Sequence, residues 1–88
     1  MTAGDNPRQR DLLKRLRAAF PAAPAYLHSR VSVHDGAQTR HGTIAGATWV
    51  PPRLAPVERP KLLVTYDGDE EPTKIHPLHG VTYLMERR

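Results

Sequence analysis

Residues 61–76 read KLLVTYDGDEEPTKIH, and this stretch decides the fold. Leu62, Val64 and Tyr66 alternate with Leu63 and Thr65, the period of a strand with one buried face. Asp67-Gly68-Asp69-Glu70 is a hairpin turn signal, and Pro72 to His76 is a second, shorter strand. An isolated two-stranded hairpin is marginal in water, so further strands must flank it in the chain.

Upstream, residues 51–60 read PPRLAPVERP, with four prolines in ten residues. Proline removes backbone donors, so this segment is expected to be a long exposed loop. Before it, His41 to Val50 reads as a strand closed by Trp49 and Val50, with Gly42 and Gly46 at a bend or bulge. Asp35-Gly36 is a turn signal. Val31 and Val33 alternate with Ser32 and His34 in a first short strand from Arg30. Downstream, Pro77-Leu78-His79-Gly80 reads as one 3₁₀ turn, and Val81 to Met85 as a fifth strand. Arg87 and Arg88 form a tail.

The N-terminal part has a different period. Leu12, Leu13, Leu16, Ala19 and Phe20 recur at helical spacing on one face, with Arg10, Lys14 and Arg17 roughly opposite. Asn6 is a candidate N-cap, Pro7 suits the first helical position, and Gln9 stands where a capping box places Glu or Gln. Phe20 precedes Pro21, which disfavours helical geometry. The spacing predicts a helix over 7–19. Residues 21–29, PAAPAYLHS, form a semi-rigid connector whose Tyr26 and Leu27 are large enough to dock on a core. Two parts are thus expected: a basic helix and connector over 1–29, and a small β-barrel over 30–88 carrying the proline-rich loop 51–60.

Composition bounds the chemistry. The 88 residues carry a net charge of +4 and no cysteine, which excludes disulfides, thiol catalysis and Cys-ligated metals. Residues 1–30 hold six Arg/Lys against two Asp, so the basic character lies at the N-terminus. Arg outnumbers Lys ten to three, and Ala, Arg, Pro and Gly supply 35 residues. That bias towards GC-rich codons points to a high-GC actinobacterial genome or one of its phages. No apolar N-terminal run and no membrane-length apolar segment is present. The expectation is a soluble cytoplasmic protein, or a virion component if phage-encoded, with no membrane contact.

The order of strands, turns and glycines resembles a Src-homology-3-like small barrel of the Tudor or KOW kind, over about residues 30–86. The segments that carry the likeness are Gly42-Thr43-Ile44, Val64-Thr65-Tyr66-Asp67-Gly68 and the Pro77-led turn. The resemblance implies a five-stranded barrel used for RNA, DNA, peptide or assembly contacts. It departs from the methyl-lysine-reading pattern, because the candidate cage aromatics are only Trp49, Tyr66 and Tyr83. Separately, Lys74-Ile75-His76-Pro77 is similar in placement to the Gln-Ile-Tyr-Pro segment of type II dihydrofolate reductases. That likeness implies an oligomeric enzyme, with Lys74 and His76 replacing the Gln and Tyr that contact pterin and nicotinamide.

No catalytic constellation, cofactor site or metal site is expected. His76 and His79 share a turn, but no metal-ligand spacing accompanies them. The acidic run Asp67, Asp69, Glu70 and Glu71 lacks calcium-loop spacing and reads as a solvated turn. The leading expectation is a non-enzymatic binding or assembly module, for instance a structural or accessory component of a phage. Its protein contacts would run through the helix and the proline loop, with Leu54, Val57 and Trp49 as interface residues. The alternative is a nucleic-acid-binding protein using Arg10, Lys14 and Arg17 on phosphates or an acidic partner.

Overall fold

The structure is a computed structural model that describes residues 7–50 and 59–84. It contains one helix, α1 (Pro7–Ala19), and five strands: β1 (Arg30–Asp35), β2 (Gln38–Val50), β3 (Arg59–Tyr66), β4 (Thr73–Ile75) and β5 (Val81–Leu84). All pairings are antiparallel, in a single sheet of order β4-β3-β2-β1-β5. The chain is therefore mainly β with one N-terminal helix. These ladders leave the sheet open, with β4 and β5 at its two edges.

The helix occupies the residues that its apolar spacing predicts. The strands also fall where alternation places them, with shifts of a few residues at their ends. Arg59 and Pro60, expected in the proline loop, instead belong to β3, where Pro60 faces Trp49 and Arg59 faces Val50. A proline at the second residue of a strand sacrifices only one ladder donor. The rest of the loop, with Leu54 and Val57, lies outside the described residues, as do Asn6 and the Arg tail. The expected 3₁₀ turn at 77–80 is an ordinary bend and turn.

β2 is the backbone of the sheet and pairs on both sides. Its register against β3 slips between Ile44 and Gly46, a bulge that lets a 13-residue strand bend. Gly46 takes φ +151°, a conformation side chains rarely adopt, and a Cβ there would collide with the Gln9 side chain. Gly42, also expected at a bend, stays in register opposite Tyr66. Its missing side chain instead lets β3 approach, since a Cβ would meet Val64 Cγ1 at 2.6 Å.

The core is one cluster that joins helix and sheet. Leu13 and Leu16 of α1 are fully buried against Val31, Ile44, Leu62 and Val64. Leu12 and Phe20 pack at its margin, but Ala19, expected on the same face, is exposed. In the connector the small residues go inside: Ala23 and Ala25 are buried, whereas Tyr26 is half exposed. The connector then runs beside the bulge. His28 N–H donates to Ile44 O at 3.0 Å, and Ile44 N–H donates to Ser29 O at 2.8 Å.

Candidate functional site

Two surfaces fit a binding role: the outer side of the helix and the free edges of the sheet. On the helix, the basic residues divide into two groups. Arg15 and Arg17 lie towards the body of the protein. The Arg15 guanidinium sits 4.7 Å from the Trp49 ring centre and that of Arg17 sits 4.1 Å from the Tyr26 ring. Arg17 also donates to Ala25 O at 2.7 Å. Each cation–π contact of this exposed kind contributes roughly 0.5–1 kcal/mol. Arg8, Arg10 and Lys14 are exposed on the remaining surface.

The expected trio of Arg10, Lys14 and Arg17 is thus not a uniform set. Arg17 holds the helix to the connector, whereas Arg10 and Lys14 lie at the surface. Trp49, expected as an interface anchor, is half buried on the core margin beneath Arg15. Spacing on a helical wheel could not separate docking arginines from surface ones, because that depends on which aromatics the connector and β2 bring alongside.

The two edges of the sheet differ in kind. β4 has three residues, Thr73–Ile75, with exposed Lys74 inside it and Pro72 just before it. Lysine and proline are the usual means of making an edge unsuited to further pairing. β5 reads VTYL and carries neither charge nor proline. Val81 and Tyr83 pack towards the core, while Thr82 and Leu84 are exposed. Among the described residues, three large hydrophobics are conspicuously exposed: Tyr26, Leu78 and Leu84. Two of them, Leu78 and Leu84, lie on β5 or in the turn that enters it. The alternation of this strand was legible in the sequence. Its place at an open edge was not, since that follows from the topology.

The acidic turn between β3 and β4 is tied back to the sheet. Arg30 donates twice to the Asp67 carboxylate, both at 2.7 Å, and once to Thr43 Oγ1 at 3.0 Å. The hydrogen bonds from Arg30 hold the Asp67 carboxyl below the usual carboxylate range, and the Arg30 pKa is raised in turn. Arg40 pairs with Asp69 at 3.2 Å while stacking over Tyr66 at 4.0 Å. The candidate cage aromatics are therefore already engaged: Trp49 by Arg15, Tyr66 by Arg40, and Tyr83 through its hydroxyl, which donates to Pro77 O.

In the Lys74-Ile75-His76-Pro77 segment, Lys74 and His76 are exposed and Pro77 is buried. His76 Nδ1 accepts the backbone N–H groups of Leu78 and His79. Among the described residues, no group of three or more His, Asp or Glu is placed to hold a metal ion. Nor is any described helix long and apolar enough to cross a membrane. No protein-family model, curated protein or solved structure is significantly similar to this chain.

Proposed function

We propose that the chain is a non-enzymatic binding module, built as a Src-homology-3-like small barrel, that works by joining protein subunits. The strand order, the long central β2 and its bend at Gly46 support the barrel reading. A strand that bends at a bulge can serve both halves of a small barrel.

The observation that carries the functional reading is the contrast between the two edges. β4 is guarded by Pro72 and Lys74, whereas β5 offers an uncharged strand with Thr82 and Leu84 outward. An unguarded edge recruits another strand: its free N–H and C=O groups supply affinity, and alternate side chains supply specificity. The partner proposed is a second copy of this chain, paired along β5. Trp49, Leu54, Val57 and the helix surface are proposed as further protein contacts. The test is the mass in solution of the intact chain and of the double variant Thr82→Lys/Leu84→Lys. Association of the former, lost in the latter without loss of folding, supports the proposal.

A second reading, contact with nucleic acid, is favoured by the exposure of Arg8, Arg10 and Lys14 on one helix. If it holds, changing Arg10, Lys14 and Arg17 to Gln flattens the salt dependence of binding. Because Arg17 is turned to the connector, the slope falls by about two counterions rather than three. The reductase-like reading has only its four-residue segment in support, and His76 there spends Nδ1 on the backbone.

A further inference from the structure

The backbone groups of β5 divide between its two sides by alternate residues. In an antiparallel ladder every second residue turns both its N–H and its C=O to one neighbour, and the residues between turn theirs to the other side. His34 N–H donates to Gly80 O at 2.7 Å. This pair continues the β1–β5 register, in which Ser32 stands opposite Thr82 and Arg30 opposite Leu84. The far side of β1 agrees. Ile44 N–H donates to Ser29 O at 2.8 Å, so the odd-numbered residues of β1 bond β2 and the even-numbered ones are left for β5. Gly80, Thr82 and Leu84 therefore commit their backbone groups to β1, and Val81 and Tyr83 present theirs at the open edge.

The side chains divide the other way. Val81 and Tyr83 pack on the core margin, whereas Thr82 and Leu84 are exposed. The strand is uncharged, so two copies of it can lie side by side without like charges meeting.

On the reading that β5 joins copies of this chain, we infer that the two strands meet antiparallel in one register, with Thr82 opposite Thr82 on a twofold axis, and that assembly stops at two chains. Val81 of each copy then faces Tyr83 of the other, and each such pair exchanges two hydrogen bonds. Every free backbone group of Val81 and Tyr83 is used. A slip by one residue sets them against residues whose backbone groups already bond β1. A slip by two leaves, within β5, a single Val81–Val81 or Tyr83–Tyr83 pair. In the inferred register Leu84 lies opposite Gly80 of the other copy, in the turn that also carries exposed Leu78. Two of the exposed large hydrophobics thereby come to the same joint. The opposite edge, β4, is closed to addition by Pro72 and Lys74, so the contact is isologous and does not grow into a fibre.

The test uses the full chain, which has no cysteine of its own, with Thr82→Cys and Leu84→Cys as single variants in a glutathione redox buffer. Light scattering of the native chain is expected to reach the mass of two chains and nothing larger. A non-hydrogen-bonded pair holds its Cα atoms about 4.5 Å apart, within the roughly 4.4–6.8 Å that a disulfide spans. The two Leu84 positions lie about 13 Å apart in this register, at about 3.3 Å per residue. The Thr82→Cys chain is therefore expected to form a covalent dimer at least about tenfold faster than the Leu84→Cys chain, with unchanged circular dichroism. Amide exchange gives a second readout that needs no thiol. As the native chain is concentrated, the Val81 and Tyr83 amides become protected, while that of Thr82 is protected at every concentration. A single-chain mass throughout overturns the β5 reading and the register together. With a two-chain mass, the register alone is overturned by any of three results. These are equal crosslinking rates for the two variants, faster crosslinking in their mixture than in Thr82→Cys by itself, and Val81 and Tyr83 amides that exchange alike when dilute and when concentrated. Species larger than two chains overturn the closure.

Discussion

The side-chain oxygen of Gln9 accepts the backbone N–H of Ala47 at 2.8 Å. This bond joins the first turn of the helix to β2 just past its bulge. It occupies the space left by Gly46, whose Cβ would strike the same side chain. Gln9, placed by its sequence position as a helix-capping residue, reaches across to the sheet. Replacing Gln9 with Ala leaves Ala47 N–H without this partner, at a cost of about 1 kcal/mol. The midpoint of thermal unfolding then falls by about 4–8 °C. Gly46→Ala costs more, since the new Cβ both strains φ and displaces Gln9. Equal midpoints for the native chain and Gln9→Ala would mean that the bond contributes nothing.

The helix contributes to the core as well as to the surface. Leu13 and Leu16 are both fully buried, and truncating either to Ala costs about 2–5 kcal/mol. That is a large share of the roughly 5–15 kcal/mol available to a domain. A chain starting near Ser29 loses both leucines together with Ala23 and Ala25. It is expected to unfold without a cooperative transition in circular dichroism. A sharp, native-like melt of that shorter chain would show that the sheet stands alone.

Which parts of this architecture were legible follows from how local their causes are. The helix and strand alternation depend on side chains a few positions apart, so Leu62, Val64 and Tyr66 announced their buried face. The Asp35-Gly36 and Asp67-Gly68 turns did the same. What escaped depends on distant partners. Arg17 and Lys14 look alike in sequence, and only the folded connector puts Tyr26 under one of them. Ala23 and Ala25 are buried and Leu27 packs on the core margin while Tyr26 is half exposed, an order that side-chain size alone does not reveal. Pro60 shares the composition of the proline-rich stretch before it, although a strand start tolerates proline. The bond from His34 N–H to Gly80 O joins residues far apart in sequence that meet because β1 and β5 pair.

Asp67 gives a pH signature. Its carboxyl titrates below the usual range because Arg30 hydrogen-bonds it. The stabilisation is present above the unfolded-state value of about 3.9 and is lost as pH falls through the lower folded-state value. The stability difference between the native chain and Asp67→Asn is therefore constant near neutral pH and shrinks on acidification below about pH 4. Because the pair is exposed, high salt shrinks it too. A difference that grows on acidification would contradict the assignment.

Tyr83 gives the opposite signature at high pH. Burial pushes its hydroxyl up to about 12, above the ordinary phenol value of about 10. The unfolded state loses this proton first. The contribution is therefore full below about pH 10 and declines as pH rises towards the folded-state value. In an absorbance titration of phenolate formation, one of the three tyrosines ionises late. Tyr83→Phe removes that late step. Three tyrosines ionising together in the folded protein would refute the buried hydroxyl.

The central claim is that the unguarded β5 edge joins copies of this chain. Light scattering on the purified protein over a concentration series tests it most directly. The account predicts a mass that rises above the 9.8 kDa of one chain whether or not nucleic acid is added, and returns to it in the folded Thr82→Lys/Leu84→Lys variant. A chain that stays at the single-chain mass at every concentration, or an association untouched by the two lysines, would contradict it.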